Sequence, residues 1–256
     1  MIKQQGLVAA ALMASCFLTG NTNAQMPMET FENPSNLQVL PQDISPEALR
    51  DTMFGFGQQV GIRCSRCHDF ESDTPMEERD FASDEKELKR VAREMLRMVQ
   101  GINDTVSSID RGPGHTALTV QCVTCHRGVS QPRQIDEIFA STMDNEGLDA
   151  AISEYMDLRK NWYAMSAYDF TAWKLGGIAQ DIVDDGDLDG GMQVHALNFE
   201  LSPDDGSIYF HRAETYEKQG QLAEAIADFE RALEMEPESL GFLSEWIERL
   251  EAQLDE

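Results

Sequence analysis

The sequence is poor in positive charge. Its 256 residues include 20 Lys and Arg against 46 Asp and Glu, which gives a formal net charge of −26. The imbalance is greatest over residues 141–256, which contain 27 acidic and 7 basic side chains. A surface of this sign repels the phosphates of nucleic acids and of anionic lipids, so we expect no nucleic acid partner. The charge is compatible both with the attraction of a basic partner protein and with plain solubility.

Long apolar runs are also missing, except at the start of the chain, so no later segment can span a bilayer as a helix. The start combines the basic Lys3, an apolar stretch and Thr22-Asn-Ala24, which fits a small-residue cleavage site. These features predict a signal peptide over residues 1–24, and therefore a periplasmic or exported protein. A second interpretation treats Met13-Ala-Ser-Cys16 as a lipobox. In that case Cys16 would carry a lipid that anchors the protein to a membrane.

Cysteine is scarce, with five in the whole chain. Cys16 lies in the predicted signal, and the other four lie in two copies of one motif, Cys64-Ser-Arg-Cys67-His68 and Cys122-Val-Thr-Cys125-His126. In a CxxCH motif each thiol can add to one vinyl group of a haem, and the His can bind the haem iron. A redox CxxC pair or a shared four-cysteine zinc site would leave both histidines without a role. The sequence therefore predicts two covalently bound c-type haems, with His68 and His126 as the proximal iron ligands.

Helices are predicted around both motifs. Ser45 suits an N-cap and Pro46 a first helical turn, and the helix should continue to about Gln59 and stop at Gly61. A second helix is predicted to open at Ser83, because apolar residues then recur with a period near 3.6. This apolar stripe consists of Leu88, Val91, Ala92, Met95, Met98, Val99 and Ile102.

The pattern changes after residue 140. Six short helices are predicted there, joined by turns rich in Gly, Asp and Pro, and they cover residues 147–160, 168–184, 190–200, 207–218, 222–235 and 239–254. The segment that begins at Tyr209 and ends at Pro237 matches the tetratricopeptide pattern, and a weaker copy lies about 34 residues earlier. The predicted fold is all-α, with a di-haem cytochrome c domain over residues 25–140 and a tetratricopeptide-like helical repeat domain over residues 141–256.

The second axial ligand of each iron separates electron transfer from ligand chemistry. Met53 lies within the helix before the first motif, whereas Met95 and Met98 lie on the apolar stripe. His115 lies shortly before the second motif. On spacing alone, a packing role is the simpler explanation for each Met. His195 and His211 in the repeats are further candidates, but packing is sufficient to explain His195, and His211 is expected at the surface or between helices.

The two motifs and the helices before them resemble the photosynthetic reaction-centre cytochrome c subunit family. The resemblance covers about residues 36–133, and the stretches that carry it are Leu49-Arg-Asp-Thr-Met53, Gly61-Ile-Arg-Cys64-Ser-Arg-Cys67-His68, Val91-Ala-Arg-Glu-Met95-Leu-Arg-Met98 and Val120-Gln-Cys122-Val-Thr-Cys125-His126-Arg-Gly128. It implies that Met53 is the distal ligand of the first haem and Met95 that of the second, with Met98 and His115 as alternatives to Met95. The family usually has two such halves and this chain has one, so the resemblance does not imply photosynthesis.

These features predict an exported electron carrier rather than an enzyme. Its partners would be redox proteins, and the repeats would dock a partner or a second copy of the protein. Two other functions stay open. One is a di-haem peroxidase-like enzyme, which needs an open iron with acid–base groups above it, and two distal methionines argue against it. The other is a haem-containing assembly or scaffold protein in which the repeats carry the function.

Overall fold

The computed structural model describes residues 26–71, 73–112, 114–116 and 118–254, and these residues form ten α-helices and no β-strand. The helices are α1 Pro46–Val60, α2 Glu87–Ser107, α3 Cys122–His126, α4 Ile135–Glu146, α5 Leu148–Trp162, α6 Ala172–Asp184, α7 Leu188–Leu201, α8 Ser207–Lys218, α9 Leu222–Met235 and α10 Leu243–Leu254. The predicted all-α fold class is confirmed. The predicted signal peptide and Cys16 lie outside the described residues. None of the described helices is both long and apolar enough to cross a membrane.

The helix α1 begins and ends as its sequence predicts. Ser45 is the N-cap, and its Oγ accepts a hydrogen bond from the Ala48 amide at 3.2 Å. Pro46 occupies the first helical position, where its missing N–H costs nothing. Gly61 ends the helix with a φ of +68°, a left-handed conformation that glycine adopts without strain.

The helix α2 begins later than predicted, at Glu87 rather than Ser83. The amides of Ala82 and Ser83 donate to Asp80 Oδ1 at 2.8 and 2.9 Å, and the Ser83 Oγ accepts from the Glu85 amide at 3.2 Å. These local side-chain hydrogen bonds hold the segment in turns and delay the first helical residue.

The apolar stripe of α2 remains at the surface of the described polypeptide. Its exposed members are Leu88 (37%), Val91 (40%), Met95 (41%) and Met98 (49%). The one buried residue of this 21-residue helix is Arg93. An exposed apolar stripe of this kind marks a surface at which an apolar ligand or an apolar face of a partner binds.

The six helices predicted in the C-terminal half correspond to α5–α10. The bounds of α8 and α9 coincide with the prediction, whereas α6 and α10 each begin four residues later than predicted. The sequence analysis missed α4, which buries Ile135, Ile138 and Phe139 and has a capping box formed by Gln134 and Glu137. Residue 140, where the first domain was predicted to end, lies within α4.

Two apolar clusters form the core of this half. The first joins α4–α7 and includes Ile135, Phe139, Tyr155, Phe170 and Leu175. The second joins α8–α10 and includes Phe210, Phe229, Leu243 and Leu250. Stacked helix pairs that bury such faces against their neighbours are the architecture expected of a repeat domain.

Buried polar side chains lie between the two clusters. The His195 Nε2 on α7 and the Thr215 Oγ1 on α8 share a hydrogen bond of 2.9 Å. Burial lowers the pKa of His195 to about 3, and His211 and Arg212 act in the same direction, so the ring is neutral near pH 7. His211 is 5% exposed and packs edge-on to Trp173 of α6, so it lies between helices and not at the surface.

Gly176 and Gly177 on α6 allow a matched test of this packing. A Cβ at Gly176 would lie 2.2 Å from His211 Cδ2, whereas one at Gly177 would meet no described atom within 4 Å. We expect Gly176→Ala to lower the free energy of unfolding by about 1–3 kcal/mol, because the ring must move. Gly177→Ala should raise it by up to about 1 kcal/mol, because Ala favours a helix. Denaturant titrations followed by circular dichroism measure both, and equal effects would contradict the close contact between α6 and α8.

Candidate haem-binding site

The first CxxCH motif follows α1 directly. Its residues Cys64–Arg66 form a single 3-10 turn, and the amides of Cys67 and His68 both donate to the Cys64 carbonyl, at 3.1 and 2.9 Å. This turn gathers two thiols and an imidazole on one short loop. Covalent attachment and axial ligation of a single haem need that combination.

A cavity of about 330 Å³ lies against this motif. Its walls include Met53 from α1, Cys64 and His68, together with the apolar side chains of Leu49 and Phe81. The structure therefore brings the predicted distal Met, one predicted attachment Cys and the predicted proximal His to the same space.

A backbone carbonyl orients the ring of His68. The His68 Nδ1 donates to the Phe81 carbonyl at 3.0 Å, and the two rings pack edge to face with centroids 5.2 Å apart. A carbonyl can only accept, so Nδ1 carries the proton and Nε2 carries the lone pair. Burial lowers the pKa of His68, which favours the neutral ring that can bind a metal.

A backbone carbonyl also orients the histidine of the second motif. It forms the short helix α3, after which Arg127 and Gly128 turn the chain with φ values of +50° and +85°. This turn brings the Val129 carbonyl within 2.9 Å of His126 Nδ1, which donates to it. His126 thus also presents the lone pair of Nε2.

The predicted distal ligands of the second haem lie on the surface. Met95 and Met98 are both exposed on the α2 stripe, and neither lines the cavity at the first motif. His115 is exposed in the segment before α3. The end of α2 is joined to this segment, since the side chain of Asn103 donates to the Val120 carbonyl at 2.9 Å and accepts from the Val120 amide at 2.7 Å.

The end of α1 packs against the second motif. The Gly128 amide donates to the Gln59 carbonyl at 3.1 Å, and the Val123 amide donates to Gln59 Oε1 at 3.2 Å. Gly61 lies so close to Gly128 that a Cβ there would be 1.8 Å from the Gly128 carbonyl oxygen. The two motifs are therefore held in one unit by contacts to the backbone.

The sequence analysis missed a polar cluster that joins the N-terminal segment to α2. Asp84 accepts hydrogen bonds from Arg93 at 2.8 Å and from Asn36 at 3.0 Å, and it lies 3.3 Å from Lys89. The hydrogen bond from Arg93 is the main cause that holds the pKa of Asp84 far below its usual range. The available signal was weak: Lys89 and Arg93 lie one helical turn apart beside the apolar stripe.

The donors fit a c-type haem at each motif. Cys64, Cys67, Cys122 and Cys125 are all free thiols. Each motif also offers one imidazole with the lone pair on Nε2. In the described part of the chain, no group of three or more His, Cys, Asp or Glu lies close enough to hold a metal ion, so the four cysteines do not meet at one point.

The contact between α1 and the second motif can be tested with two glycines. Gly61→Ala should lower the free energy of unfolding of the holoprotein by about 2–4 kcal/mol, because it combines left-handed backbone strain with a backbone clash. Gly55 of α1 is the control, since a Cβ there would make only an ordinary contact with Gln59 at 3.5 Å. Gly55→Ala should change the stability by less than about 1 kcal/mol. Thermal unfolding of the holoproteins measures both, and equal stabilities of the two variants would refute the contact.

Comparisons with known proteins identify the families that the two halves of the chain resemble. The family model described as "Photosynthetic reaction centre cytochrome C subunit" matches residues 19–173, a span that extends past the resemblance found in the sequence and includes α4 and α5. A tetratricopeptide repeat model matches residues 207–239, which include α8 and α9, so the repeat prediction is confirmed there. No solved structure matches the chain.

One curated relative is cytochrome c-554 of Chloroflexus aurantiacus, which is 31% identical over 99 residues. The match covers 39% of this chain and 22% of the relative, so the chain spans about a fifth of the relative's length. The family implies covalently bound haem. Because its model matches more than half of the residues, the chain belongs to the photosynthetic reaction-centre cytochrome c subunit family.

Proposed function

We propose that this chain is a di-haem c-type cytochrome that carries electrons between redox partner proteins. The observation that carries the proposal is the repeated orientation of the motif histidines. His68 donates from Nδ1 to the Phe81 carbonyl, and His126 donates from Nδ1 to the Val129 carbonyl. Two imidazoles held with Nε2 as the lone-pair nitrogen are what two proximal haem ligands require.

The first haem would be held by Cys64 and Cys67 through its vinyl groups, with His68 and Met53 as its axial ligands. The shared cavity that Met53, Cys64 and His68 line supports this set. A Met sulfur opposite a His raises the reduction potential and leaves no coordination position for a substrate.

The second haem would be held by Cys122 and Cys125, with His126 as its proximal ligand and Met95 as its distal ligand. Support for Met95 comes from its place on the apolar stripe of a helix that is joined to the segment before α3. Met98 and His115 are the competing ligands.

The bound haems would supply the one-electron iron couple, and the chain's own residues would set its conditions. The two backbone carbonyls fix the orientation of both imidazoles, and Leu49 and Phe81 would place apolar side chains against the first haem. Apolar surroundings disfavour the more highly charged oxidised iron. These roles suit an electron carrier rather than an enzyme.

The proposal extends to location and partners. The N-terminal sequence supports export to the periplasm, with a membrane anchor only if Cys16 is lipidated. The helical repeats would dock a redox partner or a second copy of the chain. Trp173 and Phe242 support this role, because they are 51% and 46% exposed and both pack against Phe210.

The axial ligands provide the test. Near-infrared magnetic circular dichroism of the oxidised holoprotein should give two low-spin His/Met signatures. Met53→Ala should remove one of them and Met95→Ala the other, because each replacement removes the sulfur ligand of one iron. Met98→Ala is the matched control on the same face of α2 and should leave both signatures intact.

Other outcomes have distinct meanings. A high-spin iron in the unmodified protein would contradict the carrier proposal and favour a peroxidase-like enzyme. A His/His signature would contradict Met95 and point to His115. Loss of a signature in Met98→Ala but not in Met95→Ala would transfer the distal role to Met98.

A further inference from the structure

The carbonyl that orients His68 is shared with a cation. The Phe81 oxygen accepts from His68 Nδ1 at 3.0 Å and also from the Lys89 ammonium at 3.0 Å. The same ammonium donates to the carbonyls of Ala82 at 2.8 Å and Ser83 at 2.7 Å. Its three donors are therefore satisfied by three successive carbonyls, and the side chain is only 12% exposed.

The matching carbonyl of the second motif is arranged differently. The Val129 oxygen accepts from His126 Nδ1 at 2.9 Å, and among the contacts that the structure describes for it there is no ammonium or guanidinium group. The nearby Arg133 donates to the Glu137 carbonyl at 2.9 Å instead. The two proximal histidines thus share a tautomer and differ in the electrostatic setting of the carbonyl that fixes it.

The ammonium beside the Phe81 carbonyl has two effects on the reduction potential of an iron bound by His68. A carbonyl that already accepts from an ammonium is a weaker acceptor for the imidazole N–H, so the His68 ring donates less electron density through Nε2. The positive charge itself also disfavours the oxidised, more positive iron. Both effects raise the reduction potential.

Neighbouring charges limit the effect to a direct contact. Asp84 lies 3.3 Å from the Lys89 ammonium but is closer to the guanidinium of Arg93, at 2.8 Å. Asp80 raises the pKa of His68, whereas Lys89 and Arg93 lower it. These four groups together carry no net charge, so the influence of Lys89 depends on the hydrogen bond from its ammonium to the Phe81 carbonyl.

We propose that Lys89 is a positioning and tuning residue that raises the reduction potential of the first haem relative to the second. The inference rests on the proposed function, since it requires a haem bound by His68. It means that an incoming electron would reside preferentially at the first haem, so the chain would impose an order on two otherwise similar centres.

The test compares Lys89→Met with Lys86→Met in the holoprotein. Both remove one positive charge at the start of α2, but Lys86 is 36% exposed and lies 3.6 Å from Asp69. Spectroelectrochemical titration gives the midpoint potentials of both haems. The first haem is identified as the one whose potential falls in Met53→Ala.

In Lys89→Met, the equilibrium occupancy of the first haem by an electron should fall about tenfold relative to the second, which corresponds to about 59 mV for a one-electron couple. Lys86→Met should leave this ratio within about twofold, because its charge is exposed to solvent. Lys89→Arg keeps the charge and should retain most of the ratio. If Lys89→Met does not fold, the midpoint potentials of Lys89→Arg still test the inference.

Three results would overturn the inference. They are equal shifts in Lys89→Met and Lys86→Met, a shift of the second haem alone, and an occupancy ratio in Lys89→Arg as low as that expected for the Met variant. Failure of the proposed function would look different, because the unmodified protein would then lack a second haem or lack His/Met ligation. Magnetic circular dichroism of each variant must retain the parent axial signatures, since their loss would mean that Lys89 supports ligation and not potential.

Discussion

The structure depends on one constraint: its N-terminal half has almost no core made of protein. Between residues 26 and 134, the buried residues of the described chain are Phe31, Leu49, Arg93 and Val129. The 21-residue helix α2 meanwhile presents an exposed apolar stripe. A segment of this size cannot stay folded without burying apolar surface. Two covalently held macrocycles would supply that surface, and the four thiols and two oriented imidazoles lie on the loops where they would be needed.

Backbone contacts carry much of the organisation that side-chain packing would otherwise provide. Carbonyls outside the motifs orient both histidines, and the Gln59 carbonyl and side chain fix α1 against α3. Such contacts are set by turns, and the glycines at 61 and 128 allow those turns. Under the proposed function, loop residues and the Lys89 cation bound to one loop would affect the reduction potential of a bound iron. The C-terminal half differs, because its two apolar clusters are built from the helices themselves.

Local features of the sequence were enough to predict α1, the two motifs and the repeat helices. The Ser45 cap and the stop at Gly61 depend on neighbouring residues alone, and the period of apolar residues identified α8 and α9. The same approach failed for α4, whose apolar residues become informative only when they pack with α5 and α6. It also failed for Asp84, Lys89 and Arg93, since their partners lie in distant or irregular segments. The role of Met95 as a distal ligand remains a prediction. Helical spacing places Met95 on the exposed face of α2 but does not show whether its sulfur binds iron.

The most direct test of a haem-built core is hydrogen–deuterium exchange on two full-length chains. One is the holoprotein, and the other carries Ala in place of Cys64, Cys67, Cys122 and Cys125, so that no haem can be attached. The account predicts that the amides of α2 are protected in the holoprotein and exchange rapidly in the variant, while α6–α10 exchange alike in both. Equal protection of α2 in the two chains would contradict the account, because the helix would then be stabilised without haem.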